Sequence, residues 1–577
     1  MILLNPKNHS REYPDERSRG IMLKTIEFFE SRGKTRLKEM DHNRVWYSDF
    51  LDFVKKEGIF STLLTPSEYA EVGDGDTRWD TWRNCEFNEI LAFYGLCYWY
   101  TWQVSILGLG PIWMSKNEVA KKKAAKLLRD GAVFAFGLSE REHGADIYST
   151  EMKLVPQADG SYRANGEKYY IGNANAAPMV STFGRITDAK GEISGVKDKS
   201  DYVFFVANYG NRSYDLVKNV VSSQNYVGQY ALHDYAISAS DILSKGAAAW
   251  DTALNTVNIG KFNLGWASVG ICTHAFYEAL NHASKRRLYN TYVTDFPHVR
   301  QFFVDAYCRL VAMKLFSLRA ADYMRSASPS DRRYLLYNPI VKMKVTTQGE
   351  EVINLLWDII AAKGFEGDTY FEMAARDIRA LPKLEGTVHV NMALVIKFIP
   401  KFFFGHGEFP ELLKRNDAAN DDFLFAQGPA KGLGDIQFHD YNLAYRSVDL
   451  PNVNLFREQI ELFKEFGLKA PPSQKQSTDI DFLLTIGELF TLVAYGQLII
   501  ENSKIYNIED DLLDQIFDFM VRDFSKFALQ LYSKPSSSKT QMEYAMKMIK
   551  RPIADEARFR RVLDRIYELK GVYEMNP

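Results

Sequence analysis

Hydrophobic positions follow a helical repeat over the first part of the chain. Between about residues 20 and 130 the apolar faces are rich in aromatic side chains, among them Phe93, Tyr98 and Trp102. This pattern predicts an N-terminal helical bundle over residues 1–130. Its last helix, near Glu118–Leu128, carries a run of lysines that we interpret as a solvated face.

The repeat changes from helical to strand-like near Gly131. Apolar runs such as Tyr202–Val206 and Tyr230–Ile237 are short, and the pairs Asp159-Gly160 and Asn165-Gly166 are typical of tight turns. Strands at this spacing predict a central antiparallel β-domain over residues 131–245, resembling a sandwich or barrel. A doubly wound sheet would alternate strands with helices, and this stretch does not.

Helical periodicity returns at residue 246 and predicts a second helical bundle over 246–400, with Phe262, Trp266 and Val269 on one stripe. Residues 401–470 begin with a passage rich in Gly, Pro and Asp, which predicts an irregular connection. A C-terminal helical domain is expected over 471–577, where helices at 479–502 and 510–532 should pack as a hairpin against the preceding bundle. The predicted fold class is therefore α+β and mainly α.

Composition and charge narrow the possible functions. A chain of 577 residues exceeds the ~250–300 at which single cores stop growing, so several domains are expected. The net charge of −2 does not indicate a nucleic-acid partner. The four cysteines lie far apart, and the ten histidines lack metal-ligand spacing, so neither a disulfide scaffold nor a metal site is expected.

The sequence predicts a cytoplasmic protein. The N-terminus lacks the basic and apolar regions of a secretory signal, and the C-terminus is not a peroxisomal address. The most apolar segment, Phe482–Ile500, is interrupted by Gly487 and Glu488, so its continuous runs are shorter than the ~18–20 residues of a spanning helix. We interpret it as a core helix, and nothing in the sequence supports membrane association.

Three junctions between the predicted domains carry the informative motifs: Phe136–Asp146, Lys168–Ala174, and Ala361–Phe365 with the later Arg376-Asp377 and Leu384–Thr387. Together, and in this order, they resemble the signature segments of the acyl-CoA dehydrogenase family over about residues 30–400. The remainder is similar to the C-terminal extension of the long-chain and very-long-chain branch. The segments behind that similarity are Met520–Phe524, Lys534–Ser537 and Asp555–Phe559.

The resemblance implies a flavoprotein that uses FAD to convert acyl-CoA thioesters into trans-2-enoyl-CoA, as in fatty-acid β-oxidation. Glu385 would abstract the α-proton while the β-hydride passes to flavin N5, and an electron-transferring flavoprotein would accept the electrons. A homodimer is implied, because in extended members the extra domain covers the surface used for further pairing. Gly260 stands where a related subfamily keeps its base, which leaves Glu385 without a competitor.

The residues around Glu385 also suit this chemistry on their own. Removing a proton next to a thioester requires a carboxylate in a dry pocket and donors directed at the carbonyl oxygen. Gly386 lets the chain turn, and Thr387 is predicted to be the N-cap of an apolar helix, Val388–Ile399. A plainer interpretation of Glu385 is that it is an acidic residue stabilised by the dipole of that helix, without a catalytic role.

The resemblance also assigns binding residues. Those implied for FAD are Phe136, Leu138, Ser139, Gly144, Tyr170, Ile171, Gly172, Arg286, Asp358, Ala362, Thr387 and His389. Those implied for the acyl-CoA substrate are Ala145, Asn258, Lys261 and Gly386.

The chain departs from the family pattern at several of these positions. Tyr170 replaces a tryptophan, Gly172 a threonine and Lys261 an arginine. Around the site implied for the adenosine half of FAD, Asp358 replaces a glutamine and Ala361-Ala362 replace two glycines. Asn290 and Phe296-Pro297 also depart from the family near Arg286, and Ala145 replaces a common serine near the CoA site.

Two other functions stay open on the same fold. An acyl-CoA oxidase would let O₂ reach the reduced flavin, and solvent access does not follow from sequence. A non-catalytic, dehydrogenase-like scaffold would act in assembly or partner binding, although the retention of Glu385 and its neighbours disfavours it. The acyl chain length also stays open, because pocket depth depends on side chains from several helices.

Overall fold

A computed structural model describes residues 2–9, 11–193, 199–412 and 417–577. They form two compact units. The N-terminal unit contains residues 11–193, 199–263 and 417–431 together with Pro577, and the C-terminal unit contains residues 2–9, 264–412 and 432–576. The five predicted domains do not coincide with these units, because the predicted bundle over 246–400 is divided between them after residue 263.

Helices and one large sheet make up the N-terminal unit. The helices are α1 (Glu16–His42), α2 (Ser48–Lys56), α3 (Ile59–Leu64), α4 (Thr81–Tyr94), α5 (Leu96–Trp113), α6 (Glu118–Arg129) and α7 (Ala247–Gly260). Every residue of α5 is buried, as expected for a helix that is apolar on all sides. The lysine face predicted on α6 is present, because Lys122, Lys123 and Lys126 are exposed.

The predicted β-domain is confirmed as an eight-stranded sheet in the order β6-β7-β3-β2-β4-β5-β8, with β1 beside β4. Its strands are β1 (Ala135–Gly137), β2 (Lys153–Pro156), β3 (Tyr162–Gly172), β4 (Val180–Ile186), β5 (Tyr202–Ala207), β6 (Tyr214–Asn219), β7 (Val227–Ile237) and β8 (Ile242–Lys245). Most neighbouring strands pair antiparallel as predicted, but the sheet is mixed, because β1 and β2 both pair with β4 in parallel. The chain reverses between β2 and β3 and again before β4, so β4 runs in the direction of β2.

The two predicted turn signals have different outcomes. Asp159-Gly160 lies in the connection between β2 and β3, with Gly160 at φ 83°, as predicted. Asn165-Gly166 is not a turn between strands, because it lies inside β3. There the register against β7 shifts between Ala164 and Gly166, and Gly166 has φ 142°. The glycine therefore marks a β-bulge, where the absence of a side chain permits the irregular backbone.

The C-terminal unit is almost entirely helical. Its helices are α8 (Asn263–Lys285), which begins at the boundary of the unit, α9 (Pro297–Arg325), α10 (Tyr334–Ile340), α11 (Thr346–Ile360), α12 (Tyr370–Asp377), α13 (Val388–Val395), α14 (Ile399–Phe404), α15 (Asn442–Arg446), α16 (Pro451–Lys469), α17 (Ile480–Ile505), α18 (Asp510–Tyr532), α19 (Lys539–Met548) and α20 (Glu556–Glu568). A short hairpin joins α8 to α9 through β9 (Arg287–Leu288) and β10 (Thr291–Tyr292). The predicted packing of α17 and α18 on each other and on the preceding bundle is confirmed, since both contact α9.

The prediction of an irregular connection over 401–470 is wrong for its last part, because α16 forms there. Pro451 stands in the first turn, where its missing N–H is not needed. Val453, Phe456, Ile460 and Phe463 are buried along one helical stripe. The amphipathic repeat therefore outweighs the loop-like composition of the residues before it.

Among the described residues, α17 is the helix that is long and apolar enough to cross a bilayer. Its most apolar window is 83% buried inside the structure. The helix therefore has the environment of a protein core, as expected for Phe482–Ile500.

A buried ion pair connects α18 to α9. The Arg309 guanidinium donates to both carboxylate oxygens of Asp523, at 2.8 and 2.9 Å, and each residue is 8% exposed. Lys344 Nζ lies 3.6 Å from the same carboxylate. Burial alone would raise the pKa of Asp523, but the charge and hydrogen bonds of Arg309 outweigh it and hold that pKa well below its usual value.

Candidate active site

The first group of predicted site residues lies at the end of β1 in the N-terminal unit. A Cβ at Gly108 of α5 would lie 2.6 Å from the Ala135 nitrogen, so glycine permits close contact between α5 and β1. Phe136 is buried and stacks on Phe204 with ring centroids 5.9 Å apart. The buried strand thus fixes the position of the turn that follows it.

Hydrogen bonds from β3 hold this turn. Ser139 Oγ donates to the Tyr169 carbonyl at 2.7 Å, and the Tyr169 amide donates back to the Ser139 carbonyl at 3.0 Å. The buried Lys168 ammonium lies 3.0 Å from the Leu138 carbonyl and 2.7 Å from the Glu140 carboxylate. Burial alone would raise the pKa of Glu140, but the Lys168 charge outweighs it and lowers that pKa. Leu138 and Ser139 themselves remain half-buried.

Tyr170 presents an aromatic ring beside this turn. Its backbone is left-handed, with φ 65°, at an irregularity of β3 between Lys168 and Ile171. The side chain is 58% exposed, and its ring meets the Tyr169 ring edge to face at 4.7 Å. The bulge therefore turns a large flat side chain away from the core and towards solvent.

Close packing, which the sequence did not reveal, explains why position 172 is a glycine rather than a threonine. A Cβ at this position would lie 2.6 Å from both Tyr100 Cε1 and Val104 Cγ2 of α5. The space that a threonine side chain would need is therefore filled by two side chains of the same unit. Ile171, next to it, is buried.

Gly144, predicted to contact FAD, is exposed in the turn after β1. The residues of the N-terminal unit predicted to contact substrate differ in accessibility, because Ala145 is exposed beside it and Asn258 is half-buried on α7. Lys261, directly after α7, is only 6% exposed. The carbonyl of its neighbour Gly260 accepts a hydrogen bond from Gln103 at 2.8 Å.

Among the described residues, Glu140, His143 and Glu151 form one group of potential metal ligands. The Glu140 carboxylate already accepts hydrogen bonds from Lys168, Thr150 and the backbone of Glu151. These contacts stabilise the buried negative charge of the Glu140 carboxylate, so a metal is not needed to offset it.

The loop before α13 carries Glu385 in the C-terminal unit. Glu385 has φ 52° and Gly386 has φ 82°, so two successive residues are left-handed. Such a backbone is uncommon for a residue other than glycine. The Glu385 side chain is half-buried, whereas Thr387 and His389 are exposed. Thr387 does occupy the N-cap position, but the prediction that it caps the helix is wrong for its side chain, which makes no capping hydrogen bond.

Two side chains that the sequence interpretation missed hold this loop. Lys342 Nζ, fully buried, donates to the carbonyls of Pro382 at 2.6 Å and Gly386 at 2.5 Å. Asn391 Nδ2 donates to the carbonyls of Gly386 at 3.3 Å and Thr387 at 3.1 Å. The available signal was a pair of lysines, Lys342 and Lys344, inside the otherwise largely apolar run Tyr337–Val345, since a charged side chain requires a polar partner if it is buried.

A third group of predicted residues lies near the end of α8 in the C-terminal unit. Burial, followed by the charges of Arg286 and Lys363, lowers the pKa of His282, so both cations act on this histidine. Asp358 and Ala362 are exposed. Tyr289 and Asn290 are left-handed in the β9–β10 turn, with φ 50° and 64°. Asparagine tolerates this conformation, which explains how Asn290 can replace a glycine.

Ala361 has a backbone conformation that normally requires glycine, with φ 57° and ψ −137°. Strain of this kind costs roughly 1–3 kcal/mol. The Gly-Gly pair of the family would avoid it, so here the departure at 361 has a local energetic cost.

Replacing Ala361 by glycine is expected to raise the free energy of unfolding by about 1 kcal/mol, since relief of strain exceeds the added freedom of the unfolded chain. Thermal unfolding measures the change. Ala362→Gly is the matched control and should destabilise, because Ala362 does not have a positive φ. Equal destabilisation by both variants would contradict the assignment of strain to Ala361.

Comparison with known proteins supports one family. Residues 249–399 match the family model described as "Acyl-CoA dehydrogenase, C-terminal domain". The very long-chain specific acyl-CoA dehydrogenase of Rattus norvegicus is 22% identical over 345 residues, which are 59% of this chain and 51% of that protein. The chain thus matches about half the length of this relative. A short-chain specific acyl-CoA dehydrogenase of Megasphaera elsdenii is 22% identical over 63% of this chain and 93% of its own length.

Solved structures show the same fold. An acyl-CoA dehydrogenase from Bacillus anthracis, crystallised with FAD, superposes with a TM-score of 0.76 at 16% identity, covering 98% of this chain and 96% of that one. Butyryl-CoA dehydrogenase from Megasphaera elsdenii superposes with a TM-score of 0.57 at 19% identity, covering 66% and 97%. The match to the first structure includes the C-terminal extension, whereas the second corresponds to about two thirds of the chain.

Proposed function

Because the chain belongs to the acyl-CoA dehydrogenase family, we propose that it is an FAD-dependent enzyme that dehydrogenates acyl-CoA thioesters between Cα and Cβ. The observation that carries this proposal is the Glu385 loop. A half-buried carboxylate stands on a left-handed backbone whose carbonyls are held by buried Lys342, directly before an apolar helix. A surface residue that only interacts with a helix dipole would not need such support.

In the proposed reaction Glu385 accepts the α-proton of the thioester. A carboxylate held in one position can remove this proton as the neighbouring carbonyl gains enolate character. The Glu385 amide N–H is proposed as a donor to that oxygen, in line with the family resemblance.

The residues of the N-terminal unit fit the flavin ring. Tyr170 offers an exposed aromatic face, and the turn Phe136–Ser139 offers backbone groups on a fixed strand end. Arg286 would supply positive charge for the diphosphate, whereas the Lys363 ammonium is already paired with the Glu366 carboxylate. When bound, FAD would supply the acceptor for the β-hydride. The replaced residues Asp358, Ala361 and Ala362 would meet the adenosine half.

The decisive experiment is flavin reduction under anaerobic conditions. The purified protein is expected to be yellow and to bleach when an acyl-CoA is added. A panel of acyl-CoAs of graded length would identify the substrate. The similarity to the rat enzyme and the C-terminal extension lead us to propose long acyl chains. Absence of bleaching with every chain length would favour the non-catalytic scaffold.

The electron acceptor is tested separately. We propose an electron-transferring flavoprotein, so reduced protein should be reoxidised by such a partner and release little peroxide in air. Rapid peroxide release would instead identify an acyl-CoA oxidase.

We also propose a cytoplasmic homodimer. The four cysteines are buried as thiols, which is consistent with a reducing compartment. Light scattering should give a mass near two chains, and a mass near four would contradict the dimer.

A further inference from the structure

We propose that Lys342 is a positioning residue for the reaction, which holds the Glu385 loop in its catalytic conformation. This inference rests on the proposed function of Glu385. It assigns a role to a residue that holds the backbone on either side of the proposed base.

The geometry of the loop supports this role. Lys342 Nζ bridges the carbonyls of Pro382 and Gly386, three residues before and one residue after Glu385. The bridge closes a loop that contains the two left-handed residues, Glu385 and Gly386. A left-handed glutamate costs roughly 1 kcal/mol or more, and persists only where its surroundings determine it. The two contacts of Lys342, together with those of Asn391 to the Gly386 and Thr387 carbonyls, provide that determination.

The position of Lys342 in the fold is itself fixed. It lies in a single π-helical turn, Val341–Val345, between α10 and α11. Turns of this type are rare and frequently occur at functional sites. A Cβ at Gly265 of α8 would lie 2.3 Å from Val341 Cγ1, so α8 packs closely against the start of the turn. Lys342 therefore projects from a rigid support.

Lys344 provides a matched comparison in the same turn. It is also buried, at 6% exposure, but its ammonium lies 3.6 Å from Asp523 of α18. A variant at 344 removes a buried lysine from the same π-helical turn without removing the contacts to the Glu385 loop. An effect shared by variants at 342 and 344 would result from removing a buried lysine from the π-helical turn. An effect found only in the variant at 342 would result from the lost contacts to the Glu385 loop.

The test compares Lys342→Met with Lys344→Met in the full-length protein. Hydrogen exchange of the amides at 383–391 should accelerate at least tenfold in Lys342→Met and stay near the wild-type rate in Lys344→Met. The rate of flavin reduction at saturating acyl-CoA should fall about 10- to 100-fold only in Lys342→Met. Acyl-CoA affinity should change less than threefold. Unchanged exchange at 383–391 in Lys342→Met would overturn the inference, whatever the activity.

A double variant separates positioning from a general structural effect. In the Glu385→Gln background, adding Lys342→Met should lower the residual reduction rate less than twofold, because Lys342 acts through the missing base. A further loss as large as in the wild-type background would overturn the inference. If Glu385→Gln alone reduces its flavin at the wild-type rate, the proposed function of Glu385 fails, while the exchange result still decides whether Lys342 orders the loop.

Lys342→Gln serves if the methionine variant does not fold. Its amide retains a donor on a shorter side chain, so one carbonyl contact should be lost. Intermediate exchange at 383–391 and an intermediate reduction rate would support the inference. Wild-type values for both would contradict it.

Discussion

Glu385→Gln is expected to lower turnover by about 10²–10⁴-fold, which is the usual contribution of a positioned general base. The amide keeps the shape of the side chain and one acceptor oxygen, but it cannot take up the α-proton. The protein should remain folded and should retain FAD. Stopped-flow measurement of flavin reduction gives the rate directly, and addition of acyl-CoA should perturb the flavin spectrum without bleaching it.

Two further variants sharpen this prediction. Glu385→Asp keeps the carboxylate but withdraws it by one methylene, so its rate should fall between those of the wild type and Glu385→Gln. Glu543→Gln, an exposed position on α19, should have no effect. If Glu385→Gln loses FAD or fails to fold, Glu385 has a structural role at the helix terminus instead. A near wild-type rate would place the base elsewhere.

Arg309→Met is expected to lower the free energy of unfolding of the C-terminal unit by about 3–5 kcal/mol, because it leaves the Asp523 carboxylate buried without its bidentate partner. Chemical denaturation at pH 7 measures the loss. The double variant Arg309→Met/Asp523→Leu is the matched control. It removes both charges and should recover most of the lost stability. Equal losses in the single and double variants would show that packing, rather than the unpaired charge, is responsible.

The pH dependence of this pair has a definite sign. Since the pKa of Asp523 is depressed in the folded protein, its contribution to stability is present above the unfolded value of about 3.9 and is lost as the pH falls below it. In Arg309→Met the buried carboxylate can be neutralised by protonation. The stability difference between wild type and variant should therefore narrow as the pH falls from 7 towards 4. A difference that stays constant over this range would contradict the charge-based explanation.

Periodicity and turn chemistry predicted the fold where one local pattern decides the structure. The helices at 479–502 and 510–532 were predicted close to the observed bounds of α17 and α18, because their apolar repeats are long. The parallel pairing of β1 and β2 with β4 could not be predicted, because it depends on contacts between distant segments. Asn165-Gly166 was misinterpreted for a related reason, since the same dipeptide suits a turn and a bulge.

The site residues were singled out where a segment resembles the family motif. Glu385 and Gly386 were chosen because Leu384–Thr387 matches such a segment, and the catalytic role of Glu385 stays a proposal. The left-handed backbone of Glu385 itself has no signature in sequence. Lys342 was missed because its partners are backbone carbonyls forty and forty-four residues later, and carbonyls are present at every position. Its place in a largely apolar run of the sequence was the available indication.

The packing around Gly172 limits the order in which mutations can accumulate. Introducing threonine first would force its side chain against Tyr100 and Val104, and overpacking of this kind typically costs about 1–3 kcal/mol. Shortening both Tyr100 and Val104 first would open a cavity, which a later threonine could partly fill. A hydroxyl at this position is therefore accessible along one mutational path and obstructed along the other. Introducing it by design requires changing α5 before β3.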